Sequence, residues 1–205
     1  MLEVQGLAAE RGDRRLFSGI DFTVNPGEML YVSGANGSGK TTLLRLLCGL
    51  VLPEEGQVLW NGEEIRSQRE AFHSQLCYFG HHHAIKDELS GLENLLLVAG
   101  LAGQSLSENE ALTALEQIGL GGFEDLPTKV LSQGQKRRVA LARLLLTPAQ
   151  LWILDEPFTA LDSAAIDSLR VTLSDHLARQ GMIVLTTHQE VVIENAVVKQ
   201  IRMGA

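Results

Sequence analysis

Gly34-Ala35-Asn36-Gly37-Ser38-Gly39-Lys40-Thr41-Thr42 is the stretch on which the reading of this chain turns. It fits the pattern G-x-x-x-x-G-K-[ST], in which glycines let the backbone curl until successive N–H groups point inward at phosphate oxygens. A helix that starts at the end of such a loop adds its positive end to the same anion. Lys40 then reaches the outer phosphates of a nucleoside triphosphate, and the Thr41 hydroxyl ligates Mg²⁺. The pattern means little without its context, and the flanks supply it. Leu30-Tyr31-Val32 reads as a short strand entering the loop, and residues 42–49 read as a helix leaving it, stopped by Gly49 and Pro53.

Before the loop, residues 1–30 are strand-like, with Ile20, Phe22 and Val24 alternating ahead of the turn Asn25-Pro26-Gly27. After it, residues 57–60 and Asn61-Gly62 predict a hairpin strand and its turn. Residues 75–79 predict another strand. From 89 to 120 the periodicity is helical, interrupted by glycines at 100, 103, 119, 121 and 122, so residues 84–126 or thereabouts read as an inserted helical subdomain. A helix at 135–146, a strand at 151–154, a helix at 163–180 and strands at 182–186 and 197–203 complete the chain. Strands alternating with helices predict an α/β fold with a largely parallel sheet covered on both faces, preceded by an antiparallel β portion.

The chain has 205 residues, 45% of them hydrophobic, enough for one substantial core, so a single domain over 1–205 is expected. Lys and Arg total 17 against 25 Asp and Glu, and the net charge of −8 opposes nucleic-acid phosphates as a partner. Cys48 and Cys77 sit in apolar surroundings outside any metal or CxxC spacing and read as reduced, buried, cytosolic thiols. The N-terminus lacks the basic-then-apolar order of a signal peptide. The longest apolar runs are broken by Gly, Pro and Gln well short of the roughly 20 residues of a membrane helix, so no span is expected.

Leu151-Trp152-Ile153-Leu154-Asp155-Glu156-Pro157 holds a second piece of chemistry. An apolar strand delivers Asp155 toward Mg²⁺, and Glu156 can polarise an attacking water. Two adjacent carboxylates at the end of a buried strand are costly without a cation and substrate beside them. The alternative is a helix cap ahead of Pro157, which suits Asp155 alone better than the pair.

Leu131-Ser132-Gln133-Gly134-Gln135 resembles the LSGGQ signature of ABC ATPases, with Gln133 in place of the first glycine. The resemblance covers the whole chain in the expected order and implies a P-loop NTPase fold with a RecA-like core. It implies ATP and Mg²⁺ as cofactors, Thr41 and Asp155 at the metal, and Glu156, His188 and Lys40 as catalytic groups. It also implies a head-to-tail dimer, in which Ser132, Gln133, Gly134 and Gln135 cap the γ-phosphate of ATP held by the other copy. Thr159-Ala160-Leu161-Asp162 resembles the family's D-loop, with Asp162 helping to join the copies, and Thr186-Thr187-His188 its switch histidine. Lys136, Arg137, Arg138 and Arg143 on the helix after the signature read as a solvated face.

Two departures from the family pattern stand out. The Gln that precedes the L-[ST]-x-x-E-N-L segment, here Leu89-Ser90-Gly91-Leu92-Glu93-Asn94-Leu95, is replaced by His81 within Gly80-His81-His82-His83. Whether His81 or His82 takes that role is open. Loop contacts suit these histidines better than a metal site, because neighbours on an extended strand face opposite ways. The aromatic residue that stacks on adenine is replaced by Arg11, whose guanidinium can stack on a purine, and Phe17 is a second candidate.

Within the family, Gly80-His81-His82-His83-Ala84-Ile85-Lys86, the segment 151–162 and Thr187-His188-Gln189 resemble the ATP-binding subunits of bacterial cytochrome c maturation, the haem exporter ATPases. That resemblance implies a peripheral position on the cytoplasmic face of the inner membrane, an integral permease partner and service to haem handling. No Cys-x-x-Cys-His or other haem ligand is evident. The alternatives are the ATPase of another transporter, a soluble ABC ATPase of a non-transport machine, and an adaptor that binds ATP without turning it over. The joint presence of Asp155, Glu156 and His188 counts against the last.

Overall fold

The computed structural model describes residues 1–81, 84–187, 192–193 and 196–204. The chain divides into two units, one of Met1–Tyr78, Ala149–Pro157 and Leu173–Ala205, the other of Phe79–Pro148 and Phe158–Thr172.

The first unit is built on two sheets. β1 (Leu2–Arg11) and β2 (Arg14–Val24) form a hairpin turned at Gly12-Asp13, and β4 (Glu55–Trp60) and β5 (Glu63–Glu64) extend it in the order β2-β1-β4-β5. All its pairings are antiparallel. The second sheet runs β6-β7-β8-β3-β9, from β6 (Leu76–Phe79), β7 (Leu151–Asp155), β8 (Met182–Thr186), β3 (Glu28–Gly34) and β9 (Val197–Met203). Its pairs β7·β8, β3·β8 and β3·β9 are parallel. Every residue of β7 and β8 is buried, as the continuous apolar runs of a sheet covered on both faces require.

Helix α1 (Lys40–Leu47) is tied into this core by Leu43, Leu44, Leu46 and Leu47, each at most 1% exposed. They share one cluster with Leu30 and Val32 of β3, Leu151 and Ile153 of β7, and Met182 and Val184 of β8. Burying each leucine stabilises the unit by about 1.5–3 kcal/mol, and so the helix that carries the glycine loop is anchored from below. The short α2 (Arg69–Ser74) has no counterpart in the sequence reading. It is too brief to show a period, has no side-chain cap, and is held by Phe72, 1% exposed, edge-on to Trp60 at 5.7 Å. Cys48 and Cys77 are buried thiols, and burial pushes the Cys48 thiol up.

In the second unit, the helical stretch expected over 89–120 is two helices, α3 (Gly91–Leu101) and α4 (Glu108–Gln117), followed by α5 (Gln133–Leu146). The break has a local cause. Gly103 adopts φ 69°, and Ser107 opens a new helix with a capping box. Ser90 with Glu93 and Ser132 with Gln135 start α3 and α5 in the same way, satisfying N–H groups that would otherwise lack partners. Leu95, Ala111, Leu115, Leu120, Leu131, Val139 and Ala142 make the core of these three helices. α6 spans Ser163–Ala178. Among the described residues, no helix is long and apolar enough to cross a membrane.

Candidate functional site

The glycine loop connects the end of β3 to the start of α1. Gly39 is the N-cap of α1 at φ 99°, a conformation that residues with side chains rarely adopt. A Cβ there would also lie 3.0 Å from the Phe17 ring and 3.2 Å from Leu16. Phe17, 8% exposed, is therefore a support packed under the loop, and the structure removes it as a platform for a base. Arg11, the other candidate, is exposed at the end of β1. Lys40 is 9% exposed, and its ammonium donates to the carbonyls of Gly34 (2.8 Å) and Ala35 (3.3 Å). The Ser38 hydroxyl is buried with no hydrogen-bond partner among the described residues. A buried donor of this kind, on a loop of inward N–H groups, suits a phosphate oxygen.

The strand β7 brings Asp155 to the same place, 2% exposed. Its Oδ2 accepts from the Thr41 hydroxyl at 2.9 Å and its Oδ1 from the Thr186 hydroxyl at 2.7 Å. A carboxylate and a hydroxyl in contact offer hard oxygen donors, the set that Mg²⁺ takes, so these residues fit that ion. No helix begins at Pro157, since α6 starts at Ser163, so the alternative of Asp155 as a helix cap falls away. Glu156 sits in the left-handed region at φ 53°, and its N–H donates to the carbonyl of Thr186 (3.1 Å) and to its hydroxyl (3.0 Å). The Tyr31 hydroxyl donates to the Thr187 carbonyl at 2.7 Å, and burial together with the Glu156 charge pushes the Tyr31 phenol up. His188, His82 and His83 lie outside the described residues. His81 is exposed.

Thr186 enters the sequence reading only as a neighbour of His188 with no role of its own, because a threonine at the end of Met182–Thr186 looks like any β-branched strand residue. His176 does not enter it at all. Its ring stacks on Trp152 of β7 with centroids 3.7 Å apart and planes 9° apart, and burial lowers its pKa to about 4.

In the second unit, the signature segment forms the first turn of α5. The Ser132 hydroxyl accepts from the Gln135 N–H at 3.2 Å, and the Gln135 side chain accepts from the Ser132 N–H at 2.9 Å. Gln133, the departure from the family pattern, is exposed. At Gly134 a Cβ would lie 3.0 Å from the Ala160 carbonyl oxygen. The close approach accounts for a glycine at 134. Asp162 accepts from the Ala165 N–H at 2.9 Å through Oδ1 and pairs with Arg138 through Oδ2. Arg138 also donates to the Gly119 carbonyl at 3.3 Å.

The basic run on α5 is not the solvated face expected of it. Lys136 pairs with Asp87 at 2.7 Å, Arg138 with Asp162, and Arg137, 3% exposed, lies over the Phe79 ring at 4.8 Å. Helical periodicity alone could not reveal these partners, which come from segments distant in sequence.

The family model described as "ABC transporter" matches residues 17–159. A cytochrome c biogenesis ATP-binding export protein of Dechloromonas aromatica is 56% identical over 204 residues, covering 100% of both chains. Among solved structures, an ATP-binding subunit of an ABC transporter is 28% identical with a TM-score of 0.86, over 100% of this chain and 88% of that one. A dimeric bacterial ABC transporter cassette shares the fold at 21% identity, with a TM-score of 0.85 over 98% of this chain and 94% of that one.

Proposed function

Because this chain belongs to the ABC transporter family, in the branch of the cytochrome c biogenesis ATP-binding export proteins, we propose that it is the ATP-hydrolysing subunit of a membrane complex serving haem handling for c-type cytochrome assembly. The single observation that carries the ATPase reading is the contact between Thr41 and Asp155 at 2.9 Å, each next in the chain to a catalytic candidate, Lys40 and Glu156.

In this reading Gly34, Ala35, Asn36, Gly37, Ser38, Gly39, Lys40, Thr41 and Thr42 hold the phosphates, and Arg11 stacks on the base. Thr41 and Asp155 hold Mg²⁺, which when bound offsets phosphate charge. Glu156 orients the attacking water, while Lys40 and His188 stabilise the charge that develops on the γ-phosphate. Two copies meet head to tail, so that Ser132, Gln133, Gly134 and Gln135 of one face the ATP of the other, again with a helix N-terminus toward an anion. His81 takes the place of the family's Gln. The chain works as one ATP-binding domain, and its helical insert near 84–126 passes the nucleotide state to an integral permease at the cytoplasmic face of the inner membrane. ATP shifts the equilibrium toward the closed dimer because it binds that state better, and hydrolysis reverses the shift.

Glu156→Gln, in the chain paired with its membrane companion, tests the assignment. The variant is expected to bind Mg·ATP as the parent does, to accumulate as an ATP-bound dimer on gel filtration, and to lose at least about 100-fold in kcat. Undiminished turnover removes Glu156 from its role, and failure of the parent to bind nucleotide at millimolar concentration removes the function altogether. Copurification with a haem-handling membrane protein, as against an unrelated permease, decides the pathway.

A further inference from the structure

Thr186 is the last residue of β8, in register with Asp155 on one side and Val32 on the other, and it is 0% exposed. A buried hydroxyl is tolerated when its hydrogen-bonding capacity is used. Here it is used in both directions, donating to Asp155 Oδ1 at 2.7 Å and accepting from the Glu156 N–H at 3.0 Å. The same N–H meets the Thr186 carbonyl at 3.1 Å.

Two consequences follow for the neighbouring carboxylates. Asp155 is clamped between Thr41 on Oδ2 and Thr186 on Oδ1, which fixes the rotation of its carboxylate plane. Glu156 turns out of the strand at φ 53°, a conformation uncommon for any residue but glycine, and such a turn persists where surrounding contacts over-determine it. Both acceptors of the Glu156 N–H belong to Thr186.

We propose that Thr186 is a positioning residue for ATP hydrolysis, its hydroxyl setting the carboxylate plane of Asp155 and, together with its backbone carbonyl, the direction in which Glu156 leaves β7. The inference rests on the function proposed above and adds to it a residue that is buried behind the two carboxylates. Valine has the same shape without the hydroxyl, so it isolates the hydrogen bonds from the packing.

The test uses the full chain with its membrane companion. Thr186→Val is expected to lower kcat about 10- to 100-fold, the size of effect that a misplaced reacting group produces, while the Kd of a fluorescent ATP analogue changes less than about threefold. The Mg²⁺ concentration that half-saturates binding of that analogue is expected to rise severalfold. Thr186→Ser, which keeps the hydroxyl, is expected to stay within about threefold of the parent in kcat, and Thr186→Cys, a weak hydrogen-bonding group, to fall between Ser and Val. Serine and valine variants equally impaired would make the role one of packing and overturn the proposal, as would a valine variant with parental kcat. Should valine prevent folding, seen as loss of the thermal transition, the Ser and Cys pair decides alone, and equal kcat in those two overturns the role. A parent chain that turns over no ATP takes down the functional reading itself, whereas an active parent matched by Thr186→Val takes down only Thr186.

Discussion

Asp155 and Asp162 stand close in sequence, and the fold treats them in opposite ways. Asp155 is 2% exposed, and neutral hydroxyls, those of Thr41 and Thr186, hold its two oxygens. The Asp162 side chain is 60% exposed, paired with the Arg138 guanidinium, and caps the Ala165 N–H. Hydroxyls orient a carboxylate without bringing an opposite charge beside it, and those of Thr41 and Thr186 fix the direction of the two Asp155 oxygens. An ion pair places opposite charge beside each of its members, and Asp162 is held to Arg138 and to the first turn of α6. Burial also sets how each responds to solvent, since salt screens an exposed pair far more than a buried one.

The largest expected consequence of that difference comes from removing charge at fixed shape. Asp155→Asn should lower kcat by about 100- to 1,000-fold in a steady-state phosphate-release assay. Asp162→Asn in the same assay should cost less than about tenfold, and comparable losses in the two would erase the distinction drawn here. The ion pair itself is expected to contribute little. A double-mutant cycle with Arg138→Met and Asp162→Asn, read by urea unfolding, should give a coupling of about 0.2–1 kcal/mol that shrinks in 1 M salt. A coupling of several kcal/mol that ignores salt would place Asp162 with the buried groups instead.

The smallest effect concerns the other face of β7, where His176 stacks on Trp152. Burial holds the imidazole pKa near 4 against the ordinary 6.5, while the backbone carbonyls of Met182 and Gln150 pull it up and the Arg179 charge pushes it down. The unfolded chain therefore binds the extra proton first as pH falls. Stability from the neutral ring is fully present above 6.5 and declines as pH drops toward about 4. Thermal melts from pH 7 to 4.5 should show Tm falling less steeply in His176→Phe than in the parent. Equal slopes would mean that the ring titrates normally.

Much of this is legible in the sequence. The glycine loop, the carboxylates at 155 and 156, the signature and the strands at 182–186 and 197–203 all carry local patterns, and the structure places the strands at those bounds. The failures were equally physical. Residues 89–120 divide at the glycines the pattern marks, 100 and 103, and only the restart at Glu108, set by the capping box at Ser107, lay outside that reading. The basic residues of α5 read as solvated, because a helix face does not announce what is packed on it. Phe17 read as a possible base platform, because nothing local places its ring beneath Gly39.

What the sequence determined by itself is therefore whatever depends on a residue and its near neighbours: the curl of residues 34–39, the serine caps, the alternation of strand and helix, and with them the phosphate chemistry. Only the tertiary structure decided that Thr186 meets Asp155 across 31 positions of sequence, that Thr41 meets it across 114, and that Ala160 crowds Gly134. The reason is that hydrogen bonds and steric contacts act over a few ångströms of space. A strand's own pattern specifies which face it buries, and the order in which strands pair specifies whose hydroxyl it finds there.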